Sequence, residues 1–164
     1  MMNVLEFAIN MEYDGEKYYR EQAKIYTQNN LNVVCLMLAE DEKMHAQLLS
    51  HKLKQMPYEC KESETLVKAK NIFQDIAKIK IKGKENPSQL DFYRIALAKE
   101  KQSIDFYTEH SADPDASLDK EIFAFLINQE KHHYEVLQEL AALLKQAEDW
   151  VESAEFGLRK EYFN

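Results

Sequence analysis

A glutamate followed three residues later by a histidine occurs twice in this chain, at Glu42 and His45 and again 88 positions on at Glu130 and His133. Residues three apart on a helix share one face. Around the first pair that face reads Leu31, Val34, Leu38, Glu42, His45, Leu49, Leu53 and Met56. Around the second it reads Ile122, Leu126, Glu130, His133, Leu137 and Leu144. Both stripes are otherwise apolar, so both aim a carboxylate and an imidazole into a core, where such groups must be paired, hydrogen-bonded or bound to a metal. His51, His110 and His132 lack a glutamate three positions before them and are expected at the surface.

The recurrence extends well beyond these pairs. Sliding the chain against itself by 88 residues aligns Ala8–Leu49 with the second half without a gap. Ala8 then matches Ala96, Glu12 matches Glu100, Tyr19 matches Tyr107, Leu38 matches Leu126 and Leu49 matches Leu137. Glu and Lys recur easily in so charged a chain, but joint recurrence of Glu12, Tyr19, Glu42 and His45 at one offset does not. Two helical hairpins related by a pseudo-twofold axis follow, with four marked faces meeting at the centre.

The sequence divides accordingly. A first helix is expected from about Asn3 to Gln28, with the inward stripe Leu5, Ala8, Glu12, Gly15, Tyr19, Ala23 and Tyr26. Asn29-Asn30 marks a turn, and a second helix runs from Leu31 to Met56, before Pro57. Residues 57–86 are too long for a simple turn, and 64–81 carry their own helical pattern, closed by Gly83. This is the long crossover between helices two and three of one known bundle topology. A third helix opens near Asn86-Pro87-Ser88, with Ser88 as N-cap, and presents Tyr93, Ala96, Glu100, Ser103 and Tyr107. It ends before Asp113-Pro114-Asp115, and a fourth helix covers about Ala116 to Ala147. Trp150, Ala154, Leu158 and Tyr162 suggest a last short helix, packed on the bundle or on another subunit. The expected fold is all-α: a four-helix bundle over 1–148 with a crossover at 57–86, then a helical tail at 149–164.

Composition narrows the function. The chain has 164 residues, enough for one domain with a substantial core, and only three Gly and three Pro, which disfavours a sheet with many tight turns. A net charge of −8 argues against nucleic acid or an anionic membrane as partner. No apolar run reaches membrane-spanning length, and the start Met1–Glu6 shows no signal-peptide pattern. Cys35 and Cys60 form no CxxC pair and suit a reducing, cytoplasmic setting, with Cys35 a buried free thiol.

Six core groups would therefore converge: Glu12, Glu42, His45, Glu100, Glu130 and His133. Four neighbouring carboxylates cannot all stay ionised without counter-charge. Two divalent cations supply it, and mixed oxygen and nitrogen ligands suit iron or manganese, with zinc possible. Two bridging carboxylates would hold the pair ~4 Å apart. Six protein groups leave coordination positions open for chemistry. Gly15 and Ser103, one turn beyond Glu12 and Glu100, would either leave room there for dioxygen, peroxide or water, or merely let helices approach. Tyr19 and Tyr107, two turns beyond, could donate hydrogen bonds to a ligating carboxylate on a neighbouring helix.

The segments Met11–Tyr19 and Glu40–His45, with their partners around Glu100 and Glu130, resemble the rubrerythrin-like branch of the ferritin-like superfamily. The resemblance covers the four core helices and not the crossover. It implies a ferritin-like bundle with a non-haem di-iron centre of two iron ions, and often a peroxidase role in oxidative-stress defence. Two departures matter. Typical rubrerythrins carry a further four-cysteine iron site that delivers electrons, so here an external electron donor protein is expected. They also carry an extra ligating glutamate one turn after the third-helix glutamate, where this chain has Ser103. The expected function is an oxidoreductase that reduces hydrogen peroxide, acting as a homodimer; the alternative is iron oxidation or storage, with dioxygen as oxidant.

Overall fold

The computed structural model describes residues 3–27, 30–78, 87–112 and 120–160, with side chains outside 75–78, 87–88 and 147–160. Those residues form five helices and no strand: α1 (Val4–Ile25), α2 (Leu31–Leu53), α3 (Thr65–Lys78), α4 (Pro87–Ser111) and α5 (Lys120–Lys160). The all-α, ferritin-like bundle expected from the sequence is the fold observed. α1 lies along α2 and α4 along α5, giving two hairpins, and the crossover helix α3 rests against α5 and α2.

Local sequence sets the helix ends. Asn3 caps α1: its side chain accepts from the Glu6 N–H at 2.8 Å, and the Glu6 carboxylate accepts from the Asn3 N–H at 2.9 Å. α2 stops at Leu53, before the expected Met56, through a Schellman turn in which the Met56 N–H bonds the His51 carbonyl at 2.9 Å. The left-handed position is taken by Gln55, at φ 55°, and Met56 is left 46% exposed, outside the stripe assigned to it. α4 begins at Pro87, whose missing N–H costs nothing at a first helical position, so Ser88 falls inside the first turn. Gly83 and Asp113-Pro114-Asp115 lie outside the described residues.

α5 differs most from expectation. No break separates a fourth helix from a tail near residue 148; one helix of 41 residues runs from Lys120 to Lys160. No proline interrupts it, and Gly157 alone costs about 1 kcal/mol, too little to end a helix. Trp150, Ala154 and Leu158 fall on that extension, where side chains are not described, and Tyr162 lies outside the described residues.

The core forms two apolar clusters. One gathers Val34, Leu38, Phe73, Phe92, Ala96, Leu137 and Leu144; the other gathers Ala8, Leu49, Tyr107, Phe123 and Leu126. Repeat partners sit in opposite clusters: Leu38 and Leu126, Leu49 and Leu137, Ala8 and Ala96, Tyr19 and Tyr107. A pseudo-twofold axis across the bundle requires that exchange of ends, and the polar groups occupy the layer between the clusters. Cys35 is fully buried in the first cluster, where burial pushes its thiol pKa up to about 12, so it stays protonated and inert.

Candidate metal centre

All six groups singled out in the sequence meet in that layer, each at most 4% exposed. They arrive from four helices: Glu12 from α1, Glu42 and His45 from α2, Glu100 from α4, and Glu130 and His133 from α5. They sort into two overlapping groups. Glu12, Glu42, His45 and Glu130 bring four ligand atoms within 4.8 Å of one another, and so do Glu42, Glu100, Glu130 and His133. Glu42 and Glu130 belong to both. Glu130 places Oε1 3.0 Å from His45 Nδ1 and Oε2 3.6 Å from His133 Nδ1. Glu42 spans the same pair, with Oε2 3.6 Å from His45 Nδ1 and Oε1 3.4 Å from His133 Nδ1. Glu12 and Glu100 each serve one side, 3.4 Å from His45 Nδ1 and His133 Nδ1 respectively.

The fit to metal rests on what these atoms lack. Both Nδ1 atoms, both Glu130 oxygens, Glu12 Oε2 and Glu100 Oε2 are fully buried with no hydrogen-bond partner. A buried polar atom without a partner costs 1–3 kcal/mol or more, and here six of them converge. Lone pairs aimed at a common point without hydrogen-bond geometry are what two divalent cations would satisfy, and the oxygen–nitrogen donor set suits iron, manganese or zinc.

In the chain alone, protons do part of that work. Burial raises the Glu12 pKa to about 8, helped by the Glu42 charge, and burial with the same neighbour pushes Glu100 well up. Burial also opposes charge on both imidazoles, but the carboxylates packed around them outweigh it: Glu12, Glu130 and Glu42 hold His45 well above its ordinary value, and Asp41, Glu100 and Glu130 do so for His133. Burial acts against ionised Glu42 and Glu130, as does the charge of Glu130 on Glu42 and of Glu12 on Glu130, yet Glu12, His133 and His45 together leave Glu42 lowered, and His133 and His45 leave Glu130 lowered. The protons thus favour Glu12, Glu100 and the two imidazoles, and the negative charge favours Glu42, Glu130 and Asp41.

The tyrosines fall where the spacing put them. The Tyr19 hydroxyl on α1 donates to Glu100 on α4, and the Tyr107 hydroxyl on α4 donates to Glu12 on α1. This exchange ties the two hairpins together across the pseudo-twofold. Burial, reinforced by the adjacent glutamate, keeps both phenols protonated as donors.

The geometry at Gly15 has features of both readings offered by the sequence, a close approach and an open space. A Cβ there would lie 3.2 Å from Glu42 Cδ and 3.4 Å from Cγ, so the glycine makes space for the Glu42 carboxylate. Gly15 also lines, with Ser103, Tyr19, Glu42 and Glu100, a cavity of about 210 Å³ between α1 and α4. Small residues at both positions keep that side of the layer open. Gly15→Ala should therefore separate stability from binding. The metal-free helix gains up to about 1 kcal/mol, while displacement of Glu42 weakens metal binding several-fold. Calorimetric titration and melting of the same variant would check this; binding unchanged would mean that Glu42 yields without loss.

Sequence reasoning missed the groups behind the ligands. Asp41, 3% exposed, sits 3.1 Å from His133 Nε2 and accepts from Ser63 Oγ. Gln129, 1% exposed, is held by Glu62 and Ser63. The signal available was position: each immediately precedes a ligand glutamate. Of the remaining histidines only His51 is exposed; His132 is half-buried, and His110 is half-buried with its ring edge-on to Phe106 at 4.4 Å.

Among the described residues no helix is long and apolar enough to cross a membrane. Comparison with curated proteins and with solved structures returns no match. A sequence model of one family, Rubrerythrin, matches residues 3–141 and so covers all six convergent groups, with α1, α2, α4 and the first half of α5. With its paired glutamates and histidines in a helical bundle, this chain belongs to the rubrerythrin family, a ferritin-like di-iron family.

Proposed function

We propose that the protein is a di-iron peroxidase that reduces hydrogen peroxide to water. The observation that carries the reading is the cavity of about 210 Å³ reaching two ligand carboxylates, Glu42 and Glu100, from between α1 and α4. A closed structural site would have no such approach. Glu12, Glu42, His45, Glu100, Glu130 and His133 would hold two iron ions, which when bound supply the two electrons that peroxide consumes. The chain's own residues do the rest. Gly15 and Ser103 leave space for a small oxidant, and the apolar clusters above and below exclude bulk water. Tyr19 and Tyr107 hold Glu100 and Glu12 in place from the opposite hairpin.

With only two cysteines, these 164 residues cannot build a four-cysteine iron site. An external electron donor protein would therefore return the centre to its reduced state. A homodimer in the cytoplasm, with both thiols free, completes the reading.

The test is stopped-flow absorbance of the anaerobic di-ferrous protein mixed with each oxidant at equal concentration. Peroxide takes both electrons in one encounter, whereas dioxygen needs four for full reduction, so peroxide should react at least about tenfold faster, or ~1.4 kcal/mol in barrier. Dioxygen reacting as fast, in a protein that light scattering shows to be a large shell, would replace the peroxidase reading with iron storage.

A further inference from the structure

The two halves of the bundle match ligand for ligand, but the crossover does not respect their symmetry. The residue before Glu42 is Asp41, and the residue before Glu130 is Gln129, at equivalent positions under the 88-residue offset. Both are buried, and both are gripped by the segment leading into α3. Ser63 Oγ donates to Asp41 Oδ2 at 2.7 Å. The Thr65 N–H donates to that Ser63 oxygen at 3.0 Å, and the two hydroxyls lie 2.9 Å apart. The Ser63 N–H also donates to Gln129 Oε1 at 3.3 Å, and Gln129 Nε2 donates to Glu62 at 2.6 Å.

What the two positions give the histidines differs. Asp41 Oδ2, already fixed by Ser63, lies 3.1 Å from His133 Nε2. Gln129 is neutral and is engaged at both ends of its amide by the crossover. The ion-pair partners of His45 among the described residues, Glu12, Glu42 and Glu130, all lie on its Nδ1 side. An imidazole that ligates through Nδ1 carries its proton on Nε2. A carboxylate accepting that hydrogen fixes the tautomer and ring orientation and makes Nδ1 a stronger donor. His133 has such a carboxylate in Asp41, and the residue in the equivalent place for His45 cannot act as one.

We propose that the two metal positions are unequal, and that the crossover, acting through Ser63 and Asp41 on His133, makes the Glu42–Glu100–Glu130–His133 position the tighter and first filled. Asp41 and Ser63 are positioning residues: neither belongs to the converging atoms, and each acts on the ligand it holds. The inference rests on the two-metal site and is independent of which oxidant the protein reduces.

Titration of the anaerobic metal-free protein with cobalt(II), followed by visible absorption and calorimetry, reads both occupancy and ligand geometry. Two resolved steps are expected in the unaltered chain. Asp41→Asn, which keeps shape and an acceptor but removes the charge, should weaken the first step by about 10–100-fold and leave the second within about twofold. Ser63→Ala should move the first step in the same direction by less, and Ser63→Thr should restore it. Single-position backgrounds assign the steps. Glu12→Ala should leave one tight ion that still responds to Asp41→Asn; Glu100→Ala should leave one weaker ion that does not. Melting of each metal-free variant checks that it folds, and Ser63→Ala carries the test if Asp41→Asn does not. Two equal steps in the unaltered chain, or equal sensitivity to Asp41→Asn in both backgrounds, would overturn the inequality. No cobalt binding at all would overturn the two-metal site beneath it.

Discussion

Loading the metal-free chain with ferrous iron at pH 8 is expected to raise its melting temperature by roughly 10–20 °C, and by only a few degrees at pH 5.5. The upper figure follows from two ions at free concentrations about 100-fold over their dissociation constants. Each contributes ~2.7 kcal/mol, at 2–4 °C per kcal/mol for a domain of this size. The pH dependence follows from the protons already in the site. In the metal-free chain Glu12, Glu100, His45 and His133 all hold their protons more firmly than free side chains do, and any proton held must be given up before the group serves as a ligand.

The metal-free fold responds to pH in the opposite sense. Glu12 and Glu100 have folded pKa values raised above 4.5, so stability falls as pH rises from there, through about 8 for Glu12. His45 and His133 are raised above 6.5, so their contribution is full below that value and is lost as pH rises through the folded values. Glu42 and Glu130 are lowered, so theirs is present above 4.5 and is lost as pH falls through the folded values. The metal-free chain is thus most stable near pH 4.5, weakens as Glu12 and Glu100 lose their contribution above that, and weakens further above 6.5 as the imidazoles lose theirs. Metal binding gains over the same interval, and the gap opens from both sides. Differential scanning calorimetry with and without iron at both pH values measures it. Equal stabilisation at pH 5.5 and 8 would mean that the carboxylates and imidazoles do not change protonation on loading.

The same residues show how far a sequence can be read. Glu12, Glu42, His45, Glu100, Glu130 and His133 were legible because each breaks an apolar stripe, and because the 88-residue repeat says that the four stripes meet. The Tyr19–Glu100 and Tyr107–Glu12 exchange follows from the same register, since two turns along antiparallel helices brings a side chain level with its neighbour's ligand. Asp41 and Gln129 were not legible. One residue from a ligand means about 100° around the helix, and on that flank Asp41 reads as one more acidic residue in Glu40-Asp41-Glu42. Its burial depends on where the crossover lies, and a crossover outside the repeat is placed by tertiary packing of Ala69 and Phe73 on the bundle. The end of α2 at Leu53 and the unbroken α5 were missed for a different reason. Helix ends are settled by backbone bonds worth about 1 kcal/mol each, which periodicity of side chains does not register.

Glu130→Ala is expected to cost the protein both ions. Glu130 is fully buried and is one of two carboxylates shared between the groups, with one oxygen beside each imidazole. Glu12→Ala takes a ligand from one position only and should leave about one ion per chain. Glu130→Ala takes one from each, so the loss at both should exceed the 10–100-fold that follows from losing an outer partner of a ligand. Iron content after anaerobic loading and desalting should fall from two ions per chain to well under one. Truncation also leaves His45 and His133 charged with fewer counter-charges, and breaking a buried pair costs roughly 3–5 kcal/mol, so the metal-free variant should melt lower as well. Glu130→Gln separates the two effects: it fills the same space and keeps one oxygen, but a neutral amide is a poor bridge between two cations. It should melt closer to the unaltered chain while still losing most of the iron. Glu42→Gln should behave alike, because Glu42 spans the same two imidazoles from α2. Two ions retained by Glu130→Ala and by Glu130→Gln would place the metal elsewhere in the chain. Loss of one ion only would mean that Glu130 serves a single position, with Glu42 as the sole bridge.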